Sequence, residues 1–234
     1  VDLSIHLPLL TRTDFRSILA QCPQLTALNV TNCKLIHIYH LVEDLSTLCP
    51  KLESLTANQF LVQYPYPVLA DYFSCLKRLR FERFSSYLAG DSISIDSMFS
   101  RCVPLVELVL NNLTLTDVTL RILQRSVHLQ VFRYTGTGCT VSTARIVHMS
   151  ARCVYLRELE VTCIEYNADS AIAAVTKQCP KLHTLTLRNC ISCSDTTLDS
   201  IATHCAHYLH KLDLLQCTNF TAASIQNVVR QCSS

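Results

Sequence analysis

Tryptophan is absent from this sequence, and glycine occurs only three times. A phosphate-cradling loop needs glycines at fixed offsets so that the backbone can approach the ligand, and three glycines weigh against one. Charge is scarce as well: 16% of residues are charged and the net charge is +2. That balance does not suggest a dedicated nucleic-acid binder, whose binding face is strongly basic. No run of about 18 uninterrupted apolar residues occurs, so no membrane span is expected. The opening residues VDLSIHLPLL lack an initiating Met and a basic segment followed by a cleavage site, so no signal peptide is visible. With 49% hydrophobic residues over 234 positions, the chain is too apolar for disorder and long enough to bury a large core.

Cysteine is what the sequence has in excess, with 14 residues. Disulfide-rich frameworks belong to small secreted domains that cannot build a core, whereas this chain is long and aliphatic. Three sequons, at Asn29, Asn112 and Asn219, nominally favour secretion, but serine and threonine are common enough here for chance matches. The thiols fit a reducing compartment, cytoplasmic or nuclear, where a buried cysteine acts as a small hydrophobe. The stretch CPKLHTLTLRNCISC, from Cys179 to Cys193, contains the C-x-x-C pair Cys190 and Cys193. Zinc needs four convergent ligands, and no second pair accompanies this one. His204, His207 and His210 run from a helix end through a turn into a strand, so their spacing does not imply a common face. Neither a metal nor a cofactor is expected.

Spacing explains the thiols better. Cysteines fall at 22, 49, 75, 102, 153, 179, 205 and 232, in steps of 27, 26, 27, 51, 26, 26 and 27. The double step leaves Ser126 in the vacant slot. Such regularity marks one structural position copied many times. After each mark comes the word Leu-x-x-Leu-x-apolar: Leu25, Leu28, Val30; Leu52, Leu55, Ala57; Leu76, Leu79, Phe81; Leu105, Leu108, Leu110. It continues as Leu129, Phe132, Tyr134; Leu156, Leu159, Val161; Leu182, Leu185, Leu187; and Leu209, Leu212, Leu214. The alternation predicts a short strand with one buried face. Between strands, TDVTLRILQRS and ADSAIAAVTKQC read as helices. Thr116 and Ser194, each followed by Asp, read as N-caps.

The words CPxLxxLxLxxC and [ST]DxxL resemble the cysteine-containing leucine-rich repeats found in F-box/leucine-rich-repeat proteins, over almost the whole chain. Two repeats depart from the pattern: FSCLKRLRF lacks the CP pair, and RSVHLQVFRYTGTG has Ser126 for Cys. The resemblance implies an α/β leucine-rich-repeat solenoid, a curved right-handed horseshoe of about 8–9 repeats of 24–29 residues. Short parallel strands would line its concave face and helices its convex face. A single solenoid over residues 1–234 is expected, within a longer chain: the sequence opens in a strand-like VDL and stops at the helix-end Cys232, without the polar caps that solenoids need.

A strand period of two assigns three columns to the concave face. Arg78, Arg80 and Arg133 gather in its middle, with Glu107 among them and Glu158 and Glu160 following. Arg80 and Arg133 share a column two strands apart, roughly 10 Å between backbones, and guanidinium forks there suit acidic or phosphorylated groups of a protein partner. The alternative is a solvated face neutralised by its own glutamates. The segment NQFLVQYPYP offers Tyr64 and Tyr66 as a second candidate anchor; such tyrosines also pack onto their own repeat. The Ser, His and Asp residues fall on repeat positions without a nucleophile elbow or metal motif, so no enzyme activity is expected. The resemblance implies the substrate-recognition domain of an F-box-type, cullin-based ubiquitin ligase subunit, binding a ligase adaptor only through an F-box outside this chain. The competing reading is a structural leucine-rich-repeat subunit of a large axonemal or organellar assembly. An extracellular receptor would need disulfides and glycans.

Overall fold

Each Leu-x-x-Leu-x-apolar word becomes a parallel strand, because every second side chain turns to the same face and finds the equivalent residue of the next repeat beside it. The computed structural model describes residues 1–33, 36, 38–58, 75–82, 105–111, 123, 125–136, 141–164 and 166–232. Nine strands occur among them: β1 (Asp2–Ser4), β2 (Ala27–Val30), β3 (Ser54–Asn58), β4 (Arg78–Glu82), β5 (Glu107–Asn111), β6 (Val131–Thr135), β7 (Glu158–Thr162), β8 (Thr184–Arg188) and β9 (Lys211–Leu215). The described helices are α1 (Arg12–Ala20), α2 (Ile38–Leu48), α3 (Thr143–Ser150), α4 (Ala168–Gln178), α5 (Asp195–His204) and α6 (Ala222–Cys232). Strand and helix alternating at this period make the fold an α/β leucine-rich-repeat solenoid.

The chain falls into two units, Val1–Thr114 and Leu115–Ser234. In the first, β1 to β5 pair in chain order, all parallel. In the second, β6 to β9 do the same. The register aligns the second leucine of every word: Leu28, Leu55, Leu79 and Leu108 in one unit, and Phe132, Leu159, Leu185 and Leu212 in the other. These residues are buried up to Leu185, and Leu212 at the last strand is half-buried. In α4 the stripe Ala168, Ala171, Ile172, Val175 and Thr176 is buried, the i, i+3, i+4, i+7 spacing of a helix with one face on a core.

A turn recurs after the strands. Asn32, Cys163, Asn189 and Gln216 all have positive φ, between 53° and 75°, and each precedes a post-strand slot, respectively Cys33, Ile164, Cys190 and Cys217. Asparagine tolerates the left-handed region; Cys163 and Gln216 occupy it against their own preference, and Cys163 is held by the repeat on either side, its carbonyl accepting from the Val141 amide and its amide donating to the Arg188 carbonyl. Gly136 meets a different demand, since a Cβ there would lie 2.2 Å from the Tyr134 hydroxyl.

Among the described residues the cysteines form no disulfide, and the helix-end set does more than fill space. The Cys179 thiol donates to the carbonyls of Cys153 (3.4 Å) and Ser150 (3.9 Å). Cys205 donates to Cys179 and Thr176, Cys153 to Ser126 and Leu123, and Cys49 to Cys22 and Leu19. Each thiol thus reaches the carbonyls left open at the end of the preceding helix or turn. A small weak donor suits the slot. At the vacant position Ser126 still offers its carbonyl to the next repeat.

At two helix starts, Asp169 and Asp195 join neighbouring repeats at the other helix end. Asp169 accepts from the Ser194 amide (2.8 Å), the Ser194 hydroxyl (2.6 Å) and the Thr197 hydroxyl. Asp195 repeats the device one helix on, with the Thr221 amide and hydroxyl and the Ser224 hydroxyl. Ser194 is the N-cap of α5, as its sequence position predicts, and accepts from the Thr196 amide at 3.3 Å; Thr116 lies outside the described residues. Burial pushes the Asp169 carboxyl up, yet the bonds from Ser194 and Thr197 outweigh it and hold its pKa below the usual carboxylate value. Asp169→Ala should therefore cost roughly 1–3 kcal/mol, because the fully buried Thr197 loses its partner. The Asp169 contribution is present above the unfolded-state pKa and is lost as pH falls through the lower folded-state value. Urea midpoints of wild type and variant should converge at acid pH; a gap that persists there would contradict the assignment.

Candidate functional site

The sheet face turned away from the helices carries the columns expected from the strand period. In the first unit Asp2, Ala27, Ser54, Arg78 and Glu107 stand in register, as do Ser4, Asn29, Thr56, Arg80 and Val109. In the second unit the columns are Val131, Glu158, Thr184, Lys211 and Arg133, Glu160, Thr186, Asp213. Arg188 stands beside Thr162 and Leu215 in a third.

Neutralisation within this face is extensive. Arg80 forms an ion pair with Glu107 on the next strand. Arg133 pairs with Glu158 at 2.5 Å, and Arg188 with Glu160 at 2.7 Å. The geometry is the same in kind each time: a long guanidinium side chain crosses one strand spacing to a carboxylate in the adjacent column. Glu107 is buried, and a carboxylate removed from water requires such a partner. Arg80, Arg133 and Arg188 keep 39–42% of their side-chain surface. Arg78 is exposed and has no ion pair among the described residues. Tyr64 and Tyr66 lie outside the described residues.

Two other groups singled out by the sequence stand apart from this face. Cys190 and Cys193 are both buried. A hydrogen bond from the Cys193 thiol lowers the Cys190 thiol to about 7, and the same bond, with burial, raises Cys193. Among the described residues no group of three or more His, Cys, Asp or Glu is placed to hold a metal ion. His183 flanks β8, with its Nδ1 2.6 Å from the Lys181 carbonyl oxygen. Among the described residues no helix is long and apolar enough to cross a membrane.

No model of a protein family matches the sequence, and no curated protein matches it. Among solved structures the chain is similar to one from a yeast complex of Rad7 and Elc1. The TM-score is 0.71 at 17% sequence identity, covering 99% of this chain. It spans 60% of that chain's length. At this identity the likeness bears on the fold, and it agrees with the solenoid that the repeat arithmetic predicts.

Sequence reasoning held a face neutralised by its own glutamates as an alternative without assigning the individual pairs, and it missed the Asp169 and Asp195 ladder. A signal for the ladder existed in the recurrence of Ser194-Asp195 and Thr221 through Ser224 at one repeat's distance, since a carboxylate at a helix start facing the next N-cap hydroxyl has an obvious use.

Proposed function

We propose that residues 1–234 form the recognition array of a protein-binding scaffold, and that its assignment is the substrate-recognition part of an F-box-type ubiquitin ligase subunit in a reducing, intracellular compartment. The observation that carries the protein-binding reading is the open sheet face, where successive repeats place Arg78, Arg80 and Glu107 in one unit and Arg133, Glu158 and Glu160 in the other. Solenoids use such sheet faces as extended binding surfaces. The ligase assignment rests on the CPxLxxLxLxxC and [ST]DxxL words and draws support from the likeness to a Rad7 chain solved in complex with Elc1. The free, buried thiols support the compartment.

A partner presenting acidic or phosphorylated groups would meet Arg78 directly and the outer edges of the paired arginines. Arg78→Ala with Arg133→Ala tests this without stranding a buried charge, because Glu158 keeps 31% of its surface. Arg80→Ala is a poorer probe, since it leaves the buried Glu107 unpaired. Purification of the full-length protein from its native cell should yield ligase adaptor and cullin subunits together with a substrate protein. That substrate should bind the double variant at least about tenfold more weakly, at unchanged melting temperature. Equal affinity would remove the open face from the reading; co-purification of a fixed structural assembly lacking ligase subunits would remove the ligase assignment.

A further inference from the structure

Where the polypeptide passes from a helix end into the next strand, the second unit presents cations that take part in no ion pair among the described residues. Residues 125–130, 151–157, 177–184 and 204–212 contain no Asp or Glu. Arg125, Arg152, Arg157 and Lys181 are exposed there and take part in no ion pair among the described residues. This contrasts with the open face of the same unit, where Arg133 and Arg188 each hold a glutamate. It contrasts also with the matching edge of the first unit, where Lys77 pairs with Glu53 at 2.8 Å and Lys51 donates to Gln24.

The segments that carry these cations lie side by side because the strand ladder extends into this edge. The amides of Arg157 and Glu158 donate to the Gln130 carbonyl, those of His183 and Thr184 to Arg157, and those of His210 and Lys211 to His183. Gln130, Arg157, His183 and His210 therefore succeed one another at strand spacing, about 4.8 Å apart. Rings interleave with the charges. His128 stacks on Tyr155 with centroids 5.9 Å apart, and His183 meets His210 edge-on at 5.4 Å and Tyr208 at 6.1 Å. Where the repeats marked by Cys22, Cys49 and Cys179 have Cys-Pro, two adjacent repeats have Ser126-Val127 and Cys153-Val154. Both valines stand more than 40% exposed, beside Tyr155 at 57%.

We infer that this edge of the second unit is a docking surface for an acidic, aromatic-containing polypeptide segment lying across the repeats. Unneutralised Arg and Lys select carboxylates, and Val127, Val154 and Tyr155 offer apolar contact between them. A single-stranded nucleic acid fits less well. Its bases need open ring faces to stack upon, whereas these rings pack against one another, and the chain's net charge is only +2. The surface is distinct from the open sheet face and does not depend on the ligase reading.

The test uses the whole chain and two fluorescein-labelled probes: a short peptide of alternating Glu and Tyr, and a single-stranded oligonucleotide of equal charge. A Gln and Tyr peptide serves as the neutral control. The Glu and Tyr peptide should bind more tightly than either, and more weakly as salt rises. The triple variant Arg152→Glu, Arg157→Glu, Lys181→Glu should weaken it by about tenfold or more, while Arg78→Ala with Arg133→Ala should leave it unchanged. All three side chains of the triple variant are exposed, so its melting temperature should match wild type; if it does not, the milder Gln versions at the same positions should still lose most of the binding. The inference is overturned if the acidic peptide binds no better than the Gln control or the oligonucleotide. Equal binding by a folded triple or Gln variant overturns it as well.

Discussion

Leu187→Ala should lower the stability of the chain by roughly 2–5 kcal/mol, and Leu185→Ala by a similar amount, through lost transfer energy and a residual cavity. Both side chains are fully buried. Leu187 lies between Val161 and Leu214 in the strand register, and Leu185 between Leu159 and Leu212. A cavity at either place therefore has walls from three repeats, and in a solenoid each repeat is supported by its neighbours alone. The same truncation at Leu214, half-buried on β9, should cost less, since part of that side chain already meets water. Denaturant unfolding of the three variants would check the order. Losses below about 0.5 kcal/mol at both Leu185 and Leu187, far under the usual cost of deleting a buried leucine, would contradict the register.

Raising the pH should destabilise the second unit steeply above about pH 9, the ordinary region of thiol ionisation. Burial pushes the Cys153, Cys179 and Cys205 thiols each up to about 12. In the unfolded chain these thiols ionise near their ordinary value while the folded chain holds them neutral. The folded state then binds more protons, so its stability is fully present below the unfolded-state pKa and declines as pH climbs toward the folded-state pKa. Each thiol contributes a slope of up to about 1.4 kcal/mol per pH unit in that window. Melting curves across it should show the decline, and replacing all three cysteines with alanine should flatten it despite lowering stability at neutral pH. An unchanged slope in the triple variant would show that the thiols are not held neutral. Thiol-specific reagents should modify these three more slowly than exposed Cys75 at neutral pH, because the thiolate is the reactive form.

The likeness in fold to a chain from the Rad7 and Elc1 complex and the columns on the open sheet face describe what the scaffold presents. The open face and the basic edge are the two surfaces proposed above, and the variants described there distinguish them.

What the sequence by itself determined is everything that a repeat copies. Cys22, Cys49, Cys153, Cys179 and Cys205 recur at one slot because every helix end faces the one before it, and the leucine words are buried because a period of two admits only one inward face. The columns of the open face followed from the same period, and Ser194 declared its helix start through local capping chemistry. Tertiary structure alone decided what passes between repeats. Arg80 reaches Glu107, Arg133 reaches Glu158 and Arg188 reaches Glu160 across distances of 25 to 28 residues, and a side chain's choice among such partners depends on the strand beside it. Cys163 and Gln216 accept a left-handed backbone that their own propensities oppose. The thiols also serve carbonyls of the preceding repeat, which composition presents only as hydrophobic filling. The basic edge arises in the same way: Arg125, Arg152, Arg157 and Lys181 are scattered singly along the chain, and the ladder that joins Gln130, Arg157, His183 and His210 brings the segments carrying them side by side.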